Sequence, residues 1–191
     1  MDFNLNHELE RLKSSEPGEQ IPAVDALAEI VSSITQQAVN ALEGPHQYLV
    51  AERLHRFGTL AIPPLEKLLK DTETYETRIL VSLVLFKLGS KVGLPHLLDA
   101  ILNSSNYYCL AARQLAEARI LETADNAITR LRSSSLDEID LIFCLLECLK
   151  ILERPIPLDI RDRLSALDAP RLLKLGLHKF FNITPMSDDT A

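Results

Sequence analysis

Two cysteines stand where they could hold a metal ion. Cys144 and Cys148 are four residues apart, so on a helix they share one face and present two soft ligands. A metal site needs further ligands, and neither a histidine nor Cys109 lies near this pair in the sequence. Cysteine is also one of the residue types most often buried, where it acts as a small hydrophobic side chain. We therefore expect both cysteines to lie in a helical core without a metal.

Other residue types used in catalysis are scattered along the chain. Glu138 and Asp140 stand at a predicted helix start, where carboxylates are stabilised by the helix dipole. The six glycines are not arranged as a phosphate-binding loop. Histidines with the HxxxH or HExxH spacing of a metal site are absent; the five are His7, His46, His55, His96 and His178. The sequence therefore predicts neither an enzyme nor a bound cofactor.

An aromatic pair offers a different kind of chemistry. Tyr107 and Tyr108 follow Ser104-Ser105-Asn106 at a predicted helix start. Tyrosine is enriched at the centres of protein interfaces, so the pair could anchor a partner. The alternative is that both rings pack in the turn between two helices.

The composition limits the class of protein. The 191 residues suit one domain with a large core, since 47% are hydrophobic and 25% are charged. A net charge of −7 argues against a nucleic-acid partner. The first residues lack the basic and apolar pattern of a signal peptide, and no apolar stretch is long enough to span a membrane. Three cysteines without CxxC spacing suit a reducing compartment. We expect a cytoplasmic monomer without disulfides or a membrane partner.

From residue 46 onward, one pattern recurs. Three segments, HQYLVAERLHRFG, TRILVSLVLFKLG and YYCLAARQLAEAR, end at Gly58, Gly89 and Arg119, spaced by 31 and 30 residues. Each has a small residue at the same offset, namely Ala51, Ser82 and Ala112. Each is followed by a shorter helix that opens at Ile62-Pro63, Leu94-Pro95 or Asp125-Asn126, and a further one opens at Ile156-Pro157. A period near 31 built from helix pairs is typical of an α-solenoid, in which helices of neighbouring repeats stack.

One repeat carries a family resemblance. The run DTETYETRILVSLVLFKLGSKVGLPHLLDAIL at 71–102 resembles a HEAT repeat of the short bacterial, phycobilisome-lyase type. Asp71 matches the turn acid of that family, Arg78 its arginine, Gly89 its turn glycine and Leu94-Pro95 the start of its second helix. The repeat before it has Gln47 in place of the arginine, and the following repeat departs at all three positions. The resemblance implies an all-α solenoid of about four HEAT-like helix pairs.

The rest of the chain is expected to close this array. Residues 1–45 are predicted to form N-terminal capping helices with a linker at 14–20, and 46–167 the repeats. Residues 168–183 are predicted to form a C-terminal capping helix, with Leu173, Leu177 and Phe180 on one face. The final stretch, 184–191, is predicted to be a disordered tail. All of these belong to one domain.

The predicted function is that of a non-catalytic protein-binding scaffold or adaptor. Solenoids present an extended concave surface formed by their second helices. The residues expected to contact a protein partner, of unknown identity, are Glu66, Lys70, His96, Asp99, Tyr107, Tyr108, Arg130 and Arg163. The resemblance leaves open a subunit of a phycobilin lyase or isomerase. A nucleic-acid protein of the HEAT-like DNA glycosylase type is a further alternative, although it would need a basic groove.

Overall fold

The computed structural model describes residues 5–165 and residue 180. Every regular element in this part of the chain is helical, which confirms the predicted all-α class. Short 3-10 segments occur at Ala41–Glu43 and His55–Ala61. The α-helices are α1 (Leu5–Arg11), α2 (Pro17–Asn40), α3 (Gln47–Leu54), α4 (Ile62–Asp71), α5 (Tyr75–Lys87), α6 (Leu94–Asn103), α7 (Tyr108–Glu117), α8 (Glu122–Ser133), α9 (Ile139–Ile151) and α10 (Leu158–Ser165). None of them has both the length and the apolar character that a membrane crossing requires.

The chain divides into two compact units, Met1–Val92 and Gly93–Ala191, and the division falls inside the predicted repeat region. In the first unit α3 packs on α5, and α4 packs on both α2 and α5. In the second unit α6 packs on α7 and α8, while α9 packs on α7 and α8. Several helices therefore pack both on their successor and on the helix after that, namely α2 in the first unit and α6 and α7 in the second.

Two predicted helix starts are wrong. The linker expected at 14–20 is shorter, because α2 already begins at Pro17. Proline is tolerated in the first helical turn, where its missing N–H would have no helical partner. The helix expected to open at Asp125-Asn126 begins at Glu122 instead.

The backbone takes a positive φ angle at the three residues that end the recurring segments of the sequence. The φ angle is 59° at Gly58 and 89° at Gly89. Arg119 also has a positive φ angle, 58°, although it is not a glycine. Glu153, with φ 56°, adds a fourth turn that the sequence did not reveal. At Gly89 the turn is closed by N–H bonds from Gly89 to Phe86 and from Ser90 to Leu85, which is a Schellman motif.

The same motif recurs in the second unit without glycine. Arg119 and Ile120 donate to Ala116 and Leu115, and Glu153 and Arg154 donate to Lys150 and Leu149. A side chain in the left-handed region is strained, so these two turns must be held by their surroundings. Arg119 contributes by bonding the carbonyl of Ile151 and pairing with the Glu153 carboxylate at 3.2 Å.

The predicted small-residue position is buried in all three segments. Ala51 is 7% exposed, and Ser82 and Ala112 are 0% exposed. The Ser82 hydroxyl donates to the Arg78 carbonyl at 2.8 Å, so its burial leaves no unsatisfied polar group. In α9 the equivalent position, seven residues before the left-handed turn, is Leu146 rather than a small residue.

A second recurring position was not predicted. Thr72, Ser104 and Ser134 directly follow α4, α6 and α8, and all three are buried. Each donates its backbone N–H to the carbonyl four residues earlier and then turns to extended backbone. The chain therefore leaves α4, α6 and α8 at a buried hydroxyl residue.

The predicted capping helix at 168–183 and the tail at 184–191 lie outside the described residues, apart from Phe180. The Phe180 ring lies 6.0 Å from the ring of Phe143 on α9, and Lys150 Nζ is 5.9 Å from its centre. These distances are in the range of aromatic and cation–π contacts.

Replacing Glu153 by glycine should stabilise the protein by about 0.5–1 kcal/mol, because glycine adopts positive φ without steric strain. The lost ion pair with Arg119 is largely exposed and contributes little. The matched control is Glu147→Gly, an exposed position inside α9, which should destabilise by about 1 kcal/mol. Urea unfolding measures both. Equal destabilisation by the two variants would contradict the left-handed turn at Glu153.

Candidate functional site

A polar groove lies where α7 and α9 begin. It has a volume of about 560 Å³ and is bounded by the first residues of both helices, the loop that precedes α9 and one side chain of α8. The residues that line it are Ser105, Tyr108, Arg130, Asp137, Glu138, Ile139, Asp140 and Leu141. We call this the acidic groove.

The Tyr108 side of the groove is positioned by Ser104. The buried Ser104 hydroxyl oxygen accepts the backbone N–H groups of Tyr107 at 2.9 Å and Asn106 at 3.3 Å. These bonds satisfy donors ahead of α7 that would otherwise lack partners, so the helix begins at a defined point. Tyr108, the first residue of α7, is thereby held half-buried at the groove.

The opposite side is a folded turn that begins at Ser135. Its backbone N–H donates to Glu138 Oε2 at 2.8 Å, and the Glu138 N–H donates back to the Ser135 carbonyl at 3.2 Å. The Ser135 hydroxyl also accepts the Asp137 N–H at 3.4 Å. This turn places three carboxylates, those of Asp137, Glu138 and Asp140, around the start of α9, where the helix dipole favours negative charge.

Arg130 supplies the positive group of the groove. Its guanidinium donates to the carbonyl of Leu102 near the end of α6, so α8 is bonded to α6 through this side chain. The buried Nε of Arg130 makes no hydrogen bond within the described residues. Arg163 likewise bonds α10 to α8, because its guanidinium donates to the carbonyl of Arg132 at 2.7 Å and to that of Leu131. Arginine near a helix C-terminus stabilises its unpaired carbonyls.

The electrostatics of the groove are dominated by its carboxylates. Three carboxylates face one guanidinium, so the groove carries negative charge. The pKa of Tyr108 is raised above its ordinary value, first by burial and then by the Asp140 and Glu138 carboxylates, while Arg130 opposes the rise. The carboxylates raise this pKa because loss of the phenol proton would add a negative charge to a groove that already has an excess of negative charge.

The groove unites only two of the predicted contact residues, Tyr108 and Arg130. His96 and Asp99 lie on α6 and do not line it, and the Asp99 carboxylate accepts the Asn103 amide at 2.7 Å. The half-buried Tyr107 and the helix-bonding Arg163 also lie outside its lining. In the first unit, Glu66 accepts the Ser90 hydroxyl at 3.1 Å and Lys70 is exposed.

Sequence reasoning missed most of the acidic side. The sequence predicts Glu138 and Asp140 only as acids at a helix start, and it does not indicate Asp137 as a site residue. The spacing of Ser135 and Glu138, the S-x-x-E signature of a capping box, could have revealed the folded turn. Nothing in the sequence indicates that this turn lies beside Tyr108.

The cysteines differ from expectation. Cys109 of α7 and Cys144 of α9 form a disulfide, with Cα atoms 5.8 Å apart, so the prediction of no disulfide and of a buried Cys144 thiol is wrong. The odd cysteine count was misleading because the third residue, Cys148, is buried as predicted and is the free thiol. No cluster of three or more metal-ligating side chains occurs within the described ranges.

A larger groove in the first unit has a different character. It measures about 640 Å³ and lies between α2 and the start of α4. Its walls are mostly apolar, with Leu27, Val31, Leu60, Pro63 and Pro64 among them, and Lys67 is its one charged residue. Its polar side chains are Ser32, Thr35, Gln36 and Lys67. The acidic groove has four charged residues in its lining, so it is the stronger candidate for specific binding of a charged partner.

Comparison with known proteins gives no match to a family model, to a curated protein or to a solved structure.

Neutralising Asp140 should lower the pKa of Tyr108 toward its ordinary value, because a neighbouring negative charge is removed. Because the pKa of Tyr108 is raised in the folded protein, the protonated phenol contributes stability at pH values below the ordinary pKa of tyrosine. This contribution is lost as the pH rises through the raised pKa of the folded state. Absorbance titration of Asp140→Asn, with the same titration of a Tyr108→Phe background subtracted, measures the shift. Asp162→Asn, an exposed change on α10, is the control and should cause none. An unchanged Tyr108 pKa in Asp140→Asn would contradict the geometry.

Proposed function

We propose that the chain is a non-catalytic protein-binding scaffold built from about four HEAT-like helix pairs. The packing of α2, α6 and α7 on the next two helices supports this architecture, as do the positive-φ residues at intervals of 30 to 34 residues. The small buried residues of α3, α5 and α7 allow the close helix approach that stacked pairs need. The working surface in this proposal is the acidic groove.

The observation that carries the proposal is that Asp137, Glu138 and Asp140 line one groove together with the half-buried Tyr108. Carboxylates pair with lysine and arginine side chains, and the face of a tyrosine ring attracts the same cations. A segment of protein rich in lysine or arginine therefore matches both the charge and the aromatic surface. The partner class we assign to the groove is such a basic segment in an extended or irregular conformation.

The individual carboxylates have different tasks. Glu138 is already bonded to the Ser135 backbone, so it contributes charge while holding the loop. Asp140 occupies the first turn of α9, and its carboxylate is near enough to raise the Tyr108 pKa. Within the described residues, the Asp137 carboxylate accepts a hydrogen bond only from the Ser135 hydroxyl, at 3.4 Å. Asp137 and Asp140 are therefore the groups that we expect to pair with the incoming cations.

The charge balance also separates this proposal from nucleic-acid binding. Phosphate recognition relies on lysine and arginine groups that replace counterions. In the groove three carboxylates outnumber the guanidinium of Arg130, which is already bonded to the Leu102 carbonyl. A phosphate backbone would be repelled there.

Four predicted contact residues lie outside the groove. His96 and Asp99 of α6 in the second unit, and Glu66 and Lys70 of α4 in the first unit, remain predicted contacts of a partner. Arg130 and Arg163 have a structural task as well, because each bonds a neighbouring helix. Their replacement would test stability as much as binding, which makes them poor probes.

The test is a binding titration with a fluorescein-labelled peptide of alternating lysine and arginine, measured by anisotropy at low salt. Asp140→Lys should weaken binding by about tenfold or more, since an attractive pair becomes a repulsive one. Asp162→Lys changes the net charge equally but lies on α10, outside the groove, and should change binding less than about twofold. Thermal melts check that both variants remain folded.

Equal weakening by the two variants would mean that only net charge matters, and the groove assignment would be wrong. Absence of measurable binding by the wild-type protein at low salt would likewise contradict the proposal. A labelled oligonucleotide serves as the comparison ligand, and stronger binding of that probe than of the peptide would also overturn it.

A further inference from the structure

The disulfide lies immediately behind the acidic groove. Cys109 follows the groove residue Tyr108 in α7, and Cys144 is one helical turn beyond Asp140 in α9. The Cα separation of 5.8 Å is within the range that a disulfide spans without backbone movement. The bridge therefore links the two helix ends that form opposite sides of the groove.

We propose that Cys109 and Cys144 are a reversible dithiol–disulfide site that regulates the acidic groove, an inference that rests on the function proposed for that groove. Both cysteines are half-buried rather than enclosed, so a small thiol can reach the bridge. The class of reactant is a low-molecular-weight dithiol in one direction and a low-molecular-weight disulfide in the other.

The exchange follows ordinary thiol–disulfide chemistry. A thiolate of the dithiol attacks one bridge sulfur, the sulfur–sulfur bond breaks, and the released cysteine thiolate takes up a proton. The second thiol of the reductant then attacks the mixed disulfide, releasing the other cysteine, which is also protonated. Two electrons pass to the bridge, and the reductant becomes a cyclic disulfide.

The third cysteine does not take part. Cys148 is buried, and its Sγ lies 3.5 Å from the Ala112 carbonyl on α7. Burial raises the pKa of its thiol to about 12, so almost no thiolate is present at neutral pH to attack the neighbouring bridge. The pairing of Cys109 with Cys144 is therefore protected from internal rearrangement.

Reduction should loosen the groove, because its two sides then lose their covalent link. The first turn of α7 would be held by bonds such as Ala111 N–H to the Tyr107 carbonyl, and that of α9 by Ile142 N–H to the Glu138 carbonyl. The Ile142 amide lies between the groove and Cys144, and the Ala111 bond spans Cys109, so the exchange of both amides with solvent reports local opening directly.

The experiment uses the full chain without any ligand. Dithiothreitol-reduced and glutathione-disulfide-oxidised protein are labelled with N-ethylmaleimide under native conditions and analysed by mass spectrometry, and hydrogen exchange is measured on the same samples. We expect Cys109 and Cys144 to be labelled only after reduction and Cys148 in neither state. Exchange at Ala111 and Ile142 should accelerate by about tenfold on reduction, whereas amides of α4 should not change.

Cys148→Ala is the matched control and should keep the full response, while Cys109→Ser with Cys144→Ser should resemble the reduced protein in either buffer. Complete labelling of Cys109 and Cys144 in the oxidised sample would overturn the proposal, as would equal exchange rates in the two states. Because no peptide is present, these outcomes are independent of whether the groove binds a basic segment.

Discussion

The close contact of α7 with α9 at Ala112 is the constraint on which the second unit depends. Ala112 is 0% exposed, and its carbonyl lies 3.5 Å from the Cys148 sulfur on the facing helix. A methyl side chain lets two helices approach near the lower end of the usual 8–10 Å range of axial distances. The same approach brings Cys109 within bonding reach of Cys144 and sets Tyr108 near Asp140. The packing of the helices, the disulfide and the groove thus have a common geometric origin.

Electrostatics at the helix ends connect this packing to the groove. The carboxylates at the start of α9 stand where backbone N–H groups and the helix dipole stabilise them, so their mutual repulsion is offset locally. On the other side, Arg130 satisfies a carbonyl at the end of α6 while it presents positive charge to the same space. A site whose charged groups also hold its walls is positioned before any partner arrives, which reduces the ordering that binding would require.

The fold class and the recurring first helices could be predicted, because hydrophobic periodicity, turn residues and small residues are local signals. Gly89 and Ser82 were identified in this way, and so was Arg119 by its spacing alone. The turn at Glu153 was missed because the last interval is 34 residues rather than about 31 and the residue is not glycine. The groove and the pairing of Cys109 with Cys144 depend on how α9 is rotated against α7. That rotation is set by side-chain packing between two helices whose paired cysteines are 35 residues apart in the sequence. Local sequence patterns do not predict it.

The contact at Ala112 can be tested most directly by making it too large. Ala112→Leu should lower the free energy of unfolding in urea by about 1–3 kcal/mol, because the added methylenes force α7 away from α9. Ala118→Leu places the same side chain at an exposed position just after α7 and should change stability by less than about 0.5 kcal/mol. If the two variants unfold at the same urea concentration with the same slope, the helices do not approach closely at Ala112, and the geometry derived for the groove is wrong.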